Sequence, residues 1–173
     1  MTHTITRLSA GDFRDNVKEL AELLADAVDG GASLGFLASL DRSSAADWWH
    51  TRAPAVADGS LVVWVSRGPE GVNGTVSLAF EGKANGRHRA EVVKLMVHRH
   101  ARGRGVGRDL LTAAERAAVQ AGVSLLLLDT ETGSHAESLY GSAGWTRYGV
   151  VPDYAADPAG RLRDCSFFYK RLG

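Results

Sequence analysis

The segment of residues 102–107, in which glycine alternates with arginine and valine, constrains the fold more than any other part of the chain. It joins a strand pattern at residues 90–97 to an amphipathic helix pattern at about residues 105–121, and a short apolar run at residues 123–129 follows. A run of that length, bounded by glycine and polar residues, is typical of a strand buried on both faces of a sheet. Strand, helix and strand in this order predict two parallel strands joined by a right-handed crossover.

The turn at residues 102–107 is a predicted anion site. Free N–H groups at the start of the helix, together with the helix dipole, suit a pyrophosphate, and Arg102 and Arg104 can add charge-assisted contacts. A solvated basic turn is the alternative. The dinucleotide fingerprint fails because Arg108 stands where its third glycine should be, and no Gly-Lys-Ser/Thr follows for a P-loop. Asp129, at a strand end about twenty residues further on, leaves a nicotinamide site weakened but open.

Patterns typical of antiparallel strands lie on both sides of this crossover. A hairpin is predicted from strands at residues 60–66 and 74–80. Two final strands are predicted at residues 145–150 and 165–172, with Tyr154 in the loop between them.

Three further helices complete the predicted fold. Asp12 is expected to cap the first helix, which Gly30 stops. Asp41 is expected to cap the second, which Pro54 should break or restart. The third covers about residues 135–143. These elements predict an α+β fold with a mixed, mostly antiparallel central sheet around one βαβ unit. With 173 residues, the chain is expected to form a single domain over residues 1–173.

Charge and composition exclude several classes of protein. Twenty Lys and Arg residues balance twenty Asp and Glu residues, so the net charge is zero, which argues against a nucleic-acid partner. The longest apolar run is far too short to span a membrane, and residues 1–8 are too polar for a signal peptide. With Cys165 as its only cysteine, the protein is expected in a reducing cytoplasm, and its abundant arginine, alanine and glycine hint at a bacterial source.

Two motifs in order make the chain resemble a known superfamily. Residues 102–107, Arg-Gly-Arg-Gly-Val-Gly, fit the pattern Q/R-x-x-G-x-G/A that binds acetyl-CoA in the GNAT N-acetyltransferases. Residues 136–145 resemble the superfamily's next motif, a helix with an inward tyrosine followed by glycine and an aromatic residue. The resemblance implies a three-layer α/β GNAT fold with two splayed parallel strands, and acetyl-CoA as co-substrate.

The same resemblance implies where acetyl-CoA would lie. The pantetheine arm would bond to the exposed backbone of the strand at residues 90–97. Its thioester carbonyl would lie near the N–H groups of Leu95, Met96 and Val97. The pyrophosphate would contact the turn residues Arg102, Gly103, Arg104, Gly105, Val106 and Gly107.

A narrower resemblance concerns the chemistry. Four segments are similar to the family of tabtoxin resistance proteins, GNAT enzymes that acetylate a β-lactam amino-acid toxin: residues 30–36, 91–97, 129–131 and 160–162. This similarity implies that Glu91 and Asp129 face the cleft and take the proton of the amine. Partial desolvation would raise the pKa of such a carboxyl, and a carboxylate pair could hold the incoming ammonium. The alternatives are that Glu91 pairs with Arg87 or Arg89 and that Asp129 caps the next turn.

Tyr140 is the predicted general acid. It shares a helix face with Ala136 and Ala143, so it should point inward, and its hydroxyl should reach the sulfur of coenzyme A. The alternative is a core tyrosine whose hydroxyl is satisfied within the protein.

The acceptor pocket is predicted from an apolar, glycine-rich segment and the late loop. Its expected substrate-binding residues are Gly31, Ala32, Ser33, Phe36 and Tyr154. An interhelix connection packed by its own Phe36 is the alternative. Three tryptophans are interpreted first as core or dimer-surface residues and second as pocket residues: Trp48, Trp49 and Trp64.

No metal site is expected from the sequence. His98 and His100 have no carboxylate or cysteine at ligand spacing. Cys165 lies in a predicted terminal strand with no adjacent base, which makes it a poor candidate nucleophile.

These observations predict an N-acetyltransferase that moves acetyl from acetyl-CoA to a primary amine of a small molecule, by direct attack in a ternary complex. A toxin- or antibiotic-like amine, such as an amino-acid analogue, is the expected acceptor, and a homodimer is left open. Acetylation of a peptide N-terminus or a lysine is the first alternative. A domain that senses acyl-CoA without turnover is the second.

Overall fold

The computed structural model describes residues 2–173. Its strands are β1 (Thr4–Arg7), β2 (Leu61–Gly68), β3 (Gly71–Phe80), β4 (Arg89–Val97), β5 (Leu125–Glu131), β6 (Thr146–Ala156) and β7 (Leu162–Arg171). Its α-helices are α1 (Ala10–Asp29), α2 (Arg42–His50), α3 (Ala53–Asp58), α4 (Val106–Gln120) and α5 (His135–Ser142).

All seven strands form one sheet in the order β1-β2-β3-β4-β5-β7-β6. β4 and β5 run parallel and are joined by α4, whereas the other neighbouring strands pair antiparallel. The predicted α+β fold with a mixed, mostly antiparallel sheet and one βαβ unit is therefore confirmed.

The helices cover both faces of the sheet and bury two separate cores. Helices α1, α2 and α3 pack on the face that carries Val63 and Val65, and Trp49 lies at the centre of this core. Helices α4 and α5 pack on the opposite face, where Leu110 and Leu126 are buried. Alternation along each strand sends successive side chains into different cores.

The predicted helix starts agree with the structure for α2 and α3 and differ from it for α1. Asp41 caps α2, and Pro54 lies in the first turn of α3, both as predicted. The prediction that Asp12 caps α1 is wrong. Ser9 is the N-cap, and Asp12 is the third helical residue of a capping box, in which the backbone N–H of Asp12 donates to Ser9 Oγ over 3.1 Å.

Strand β6 is longer than its sequence predicts, and the placement of Tyr154 in a loop is wrong. Pro152 argues against a strand interior because proline lacks the N–H that a ladder needs. β6 is an edge strand, where proline is tolerated, and Pro152 falls between Val151 and Ala155, where no residue of β6 is paired with β7. The register shifts between Val151 and Ala155, and Asp153 has a φ of 51° within this irregularity.

No helix within residues 2–173 is long and apolar enough to cross a membrane.

We expect Trp49→Ala to lower the free energy of unfolding by about 3–5 kcal/mol. The Trp49 side chain is fully buried, packs edge-on against Phe13, and donates from Nε1 to the Leu20 carbonyl over 3.1 Å. Urea unfolding measures the change. The control Val119→Ala, at a side chain that is 53% exposed, should stay within about 0.5 kcal/mol of the unmodified protein. Equal losses in both variants would contradict the packing assignment.

Candidate active site

A bulge in β4 and the early end of its pairing with β5 create the candidate site. β5 pairs with β4 only from Arg89 to Glu91, so the rest of the β4 edge faces a gap between the two strands. The β3–β4 register shifts opposite Lys94, whose φ is 54°. Val93 and Met96 therefore both face the core under α1 although three positions separate them. The two predicted parallel strands do splay apart.

Glu91 and Asp129 lie where this gap opens. Glu91 is the last β4 residue paired with β5, where it is opposite Leu127, and Asp129 lies two residues further along β5. Both side chains are exposed. Partial desolvation by the flanking strands and the negative charge of Asp129 raise the pKa of the Glu91 carboxyl, and Lys94 opposes this shift. The pair matches what an acceptor for an amine proton requires.

Neither local alternative for these carboxylates holds among residues 2–173. Arg89 pairs with Glu81 over 3.0 Å rather than with Glu91. Asp129 caps no turn; its carboxylate accepts a hydrogen bond from the Cys165 thiol over 3.4 Å. Both carboxylates thus remain open to a molecule in the gap.

The contact between Cys165 and Asp129 corrects the expectation that this cysteine has no adjacent base. β5 and β7 pair side by side, which brings the buried Cys165 against the carboxylate. Burial, and then the charge and hydrogen bond of Asp129, raise the pKa of the thiol to about 12. Because the thiolate is the nucleophile, this environment keeps Cys165 unreactive.

Tyr140 enters the site from the other face of the sheet. It lies on α5, is 5% exposed, and packs its ring against Trp145 and Phe168. Its hydroxyl has no hydrogen-bond partner within the described part of the chain, so the alternative of a satisfied core tyrosine does not hold. Burial and the charge of Asp129 raise the pKa of Tyr140, which keeps the phenol protonated and able to donate.

Lys94, Trp48 and Arg52 form a feature that the sequence did not reveal. Lys94 Nζ lies 5.3 Å and the guanidinium carbon of Arg52 lies 5.1 Å from the centroid of the Trp48 ring. The Phe36 ring packs edge-on against the same indole, with 5.5 Å between centroids. The bulge that turns Lys94 toward α2 could not be predicted because it interrupts the alternation of the strand without a recognisable sequence pattern. The sequence also does not show which of the adjacent Trp48 and Trp49 lies in the core. Of the three tryptophans, Trp49 and Trp64 are buried and Trp48 is not.

The glycine–arginine turn leads directly into the N-terminus of α4. Gly103 and Gly105 both have positive φ values, 74° and 81°, which favour glycine. Gly105 is the N-cap and no side chain caps the helix. Three backbone N–H groups of the first turn have no acceptor within residues 2–173: those of Val106, Gly107 and Arg108. This geometry suits an anion.

Several arginines around this turn already have partners within the protein, so fewer of them are available to bind an anion than their number implies. Arg99 is bound to Asp26, with 2.8 Å between Nε and Oδ1, and Arg108 donates to Ser142 Oγ over 2.6 Å. Arg102 donates from Nε to the carbonyl of Val97 over 3.2 Å, which fixes its stem beside the end of β4. Part of the local positive charge therefore holds helices and strands together.

The expected acceptor wall is only partly assembled around the carboxylates. Tyr154 packs edge-on against Phe167, the residue opposite Asp129 in the β5–β7 register. Phe36 reaches the site through Trp48. Within residues 2–173, no hydrogen bond, ion pair or ring contact joins residues 31–33 to Glu91 or Asp129. Gly31, Ala32 and Ser33 follow the end of α1, where Gly30 lies against Arg99.

A backbone hydrogen bond closes this side of the protein. The N–H of Ala38 donates to the carbonyl of Pro158 over 2.8 Å. It ties the segment between α1 and α2 to the turn between β6 and β7, two residues after Phe36 and four residues after Tyr154.

The two histidines do acquire carboxylate neighbours that their spacing does not predict. His98 lies 3.5 Å from Asp26 and His100 lies 3.5 Å from Glu70. Within residues 2–173, however, no group of three or more His, Cys, Asp or Glu side chains is arranged to hold a metal ion.

Comparison with known proteins agrees with this architecture. The model of the acetyltransferase (GNAT) family matches residues 21–145. The crystal structure of a ribosomal-protein-alanine N-acetyltransferase from Brucella melitensis is 26% identical, with a TM-score of 0.76 over 98% of this chain and 99% of that one.

Two more distant structures share the fold. An N-acetyltransferase from Staphylococcus aureus Mu50 is 15% identical, with a TM-score of 0.81 over the full length of both chains. A GNAT superfamily phosphinothricin acetyltransferase from Sinorhizobium meliloti, solved in complex with AcCoA, is 21% identical, with a TM-score of 0.80 over 100% of this chain and 90% of that one. With the family model matching most of its length, this chain belongs to the GNAT acetyltransferase family.

Proposed function

We propose that this protein is an N-acetyltransferase that moves acetyl from acetyl-CoA to a primary amine of a small molecule, by direct attack in a ternary complex. One arrangement carries the proposal: Glu91 and Asp129 flank the gap where β4 and β5 separate. The buried Tyr140, whose hydroxyl has no partner within residues 2–173, is near enough for the charge of Asp129 to raise its pKa. The proposal thus assigns a base, an acid and an open backbone edge to one place, as acyl transfer to an amine requires.

Acetyl-CoA is the acetyl donor, and we assign its site to β4 and the turn before α4. The uncapped first turn of α4 and the positive-φ glycines of residues 102–107 would bind the pyrophosphate. Arg102 and Arg104 would add charge. The backbone of Leu95, Met96 and Val97, which β5 does not pair, would hold the pantetheine arm and polarise the thioester carbonyl.

The residues around the gap would perform the transfer in order. Glu91, whose raised pKa makes it a stronger base than an ordinary carboxylate, would take the proton of the amine, with Asp129 holding the ammonium beforehand. Amine nitrogen then attacks the carbonyl carbon, and the N–H groups of residues 95–97 stabilise the oxyanion. The carbon–sulfur bond breaks as Tyr140 gives its proton to the leaving thiolate.

The proposal also covers the acceptor amine, the cellular location and the oligomeric state. We expect a toxin- or antibiotic-like amine, such as an amino-acid analogue, in a bacterial cytoplasm, as the similarity of four segments to tabtoxin resistance proteins implies. Phe36 and Tyr154 would wall the acceptor, with Gly31, Ala32 and Ser33 at the outer rim. Exposed apolar side chains on β6 offer a surface to a second copy of the chain: Tyr148, Val150 and Val151.

Two other functions compete with this proposal. Acetylation of a peptide N-terminus or lysine is favoured by the similarity to the Brucella enzyme, whose name specifies a protein alanine. It requires a groove open to a chain, so a deep acceptor pocket walled by Phe36 and Tyr154 would count against it. A sensor that binds acyl-CoA without turnover is the other, and it gives no role to the unpartnered Tyr140 hydroxyl.

Release of free thiol from acetyl-CoA separates the three functions. We expect release with small primary amines and little with peptides of similar charge. Release with peptides alone would favour the protein acetyltransferase. Tight binding of acetyl-CoA in calorimetry, without release for any acceptor, would favour the sensor.

Tyr140→Phe should lower kcat by about 100-fold or more and change the Kd for acetyl-CoA by less than about twofold. The ring contacts with Trp145 and Phe168 remain, while the proton donor is lost. Stopped-flow thiol release and calorimetry give the two numbers. Tyr148→Phe, which removes a hydroxyl from an exposed side chain on the edge strand β6, is the matched control. An unchanged kcat in Tyr140→Phe would remove this residue from the chemistry.

The acid limb of the kcat/KM profile should lie above the ordinary glutamate range and move to lower pH in Asp129→Asn. Glu91 must be deprotonated to act, so activity falls as the pH drops through its raised pKa; removing the Asp129 charge removes one cause of that shift. Profiles with two acceptors of different amine pKa separate the enzyme's ionisation from the substrate's. A limb that stays in place in Asp129→Asn, or that persists in Glu91→Gln, would argue against Glu91 as the base.

A further inference from the structure

Two cations share one aromatic ring at the rim of the site. Lys94 and Arg52 both lie within 5.3 Å of the Trp48 ring centroid, one from the bulge of β4 and one from the residue before α3. Cations at this distance are attracted to the indole face without being neutralised by it. A carboxylate in place of the Trp48 ring would have neutralised these two positive charges. The indole holds them near each other and leaves them charged.

The ammonium group of Lys94 is unpaired although its side chain is partly buried. Within residues 2–173 it forms no hydrogen bond and no ion pair within 4.0 Å. Glu91 and Asp129 are near enough to act on it through charge, but neither reaches contact distance. An ammonium group has three N–H donors and gains most from anionic oxygen. The structure provides a donor here and no acceptor.

The backbone fixes this lysine in place. Its φ of 54° is unfavourable for a residue with a side chain, by an amount that surrounding structure must offset. A lysine that served only solubility would not need the bulge position, where it is directed onto α2 beside the gap. Such outliers concentrate at functional sites, which makes the placement of Lys94 informative.

Positive and negative groups therefore lie beside the same gap, close enough to act on each other through charge. Glu91 and Asp129 lie on the two splayed strands, and Lys94 and Arg52 lie around Trp48 at the rim. A ligand with an ammonium and an anionic oxygen group would be oriented by both ends. A simple alkylamine would leave the Lys94 donors unused.

We propose that Lys94 and Arg52, held by Trp48, form a subsite for the carboxylate of the acceptor, so that the substrate is an amino acid or amino-acid analogue bound by both charges. This inference rests on the proposed acetyl transfer and specifies its substrate class. The carboxylate binds Lys94 and Arg52, and the amine then lies between Glu91 and Asp129.

The test compares acceptors that differ only at the anionic end. Methionine, β-alanine and 4-aminobutyrate are each assayed beside their carboxamides, at the pH plateau of the unmodified protein. Lys94→Met should raise KM for the preferred carboxylate acceptor by about 10- to 100-fold, the value of one hydrogen bond to a charged group. KM for the matching carboxamide should change less than twofold. Lys83→Met, at an exposed lysine in the loop before β4, is the matched control and should change neither.

Arg52→Gln should weaken carboxylate acceptors in the same direction but less, because Arg52 is exposed and water shares its contacts. Equal loss for carboxylates and carboxamides in Lys94→Met would overturn the subsite. So would a preference of the unmodified protein for carboxamides.

A binding measurement keeps the subsite distinct from the reaction. N-acetylmethionine and N-acetylmethioninamide are titrated by calorimetry into the unmodified protein saturated with coenzyme A. The carboxylate should bind at least tenfold more tightly, and Lys94→Met should abolish the difference. If no amine is acetylated but this preference is found, the proposed reaction fails and the subsite stands. Equal affinity, or no binding of the carboxylate at millimolar concentration, overturns the subsite whatever the turnover.

Discussion

The short parallel pairing of β4 and β5 is the constraint on which the rest of the site depends. Pairing ends at Glu91, and the bulge at Lys94 turns the following residues so that the strand still packs against both cores. Had the two strands stayed paired, the backbone from Val92 to Val97 would be occupied by a neighbour and Asp129 would lie against it. The backbone N–H and C=O groups on this edge are therefore left without a strand partner on the β5 side.

Asp129 is the electrostatic centre of this gap. Its charge raises the pKa values of Glu91, Tyr140 and Cys165 and opposes the fall in the pKa of Lys94. Burial is the larger cause of the raised pKa values of Glu91, Tyr140 and Cys165, and the Asp129 charge adds to it in each case. The Cys165 thiol, by donating to Asp129, gives this carboxylate a fixed contact on its β7 side.

The sequence predicts those parts of the molecule whose signals are local. Alternating glycines before an amphipathic helix, and a buried strand after it, suffice for the crossover and for the turn at residues 102–107. Glu91 and Asp129 could be named because they lie on strands that the topology makes neighbours and because the resemblance to tabtoxin resistance proteins implied their roles. The Asp12 cap failed because Ser9 offers a competing cap three residues earlier, and β6 was cut short because Pro152 is tolerated only where the strand lies at an edge.

What escaped prediction depends on long-range packing. No local pattern shows that Trp48 and Lys94 meet, because one lies on α2 and the other on a bulge whose position is set by pairing with β3. The same holds for Cys165 and Asp129, which meet through strand order alone. The zero net charge likewise gave no sign that Lys94 and Arg52 gather around Trp48 near Glu91 and Asp129.

The hydrogen bond between Ala38 and Pro158 has a consequence for how such a protein can diverge. The groups assigned to the reaction lie on the central strands and α5. Phe36 and Tyr154, which are proposed to wall the acceptor, lie before α2 and near the end of β6, in parts of the chain that this hydrogen bond ties together. Connecting segments tolerate insertion and exchange far better than buried strands. Under the proposed function, a lineage can therefore reshape this wall without altering the strands that carry Glu91, Lys94 and Asp129.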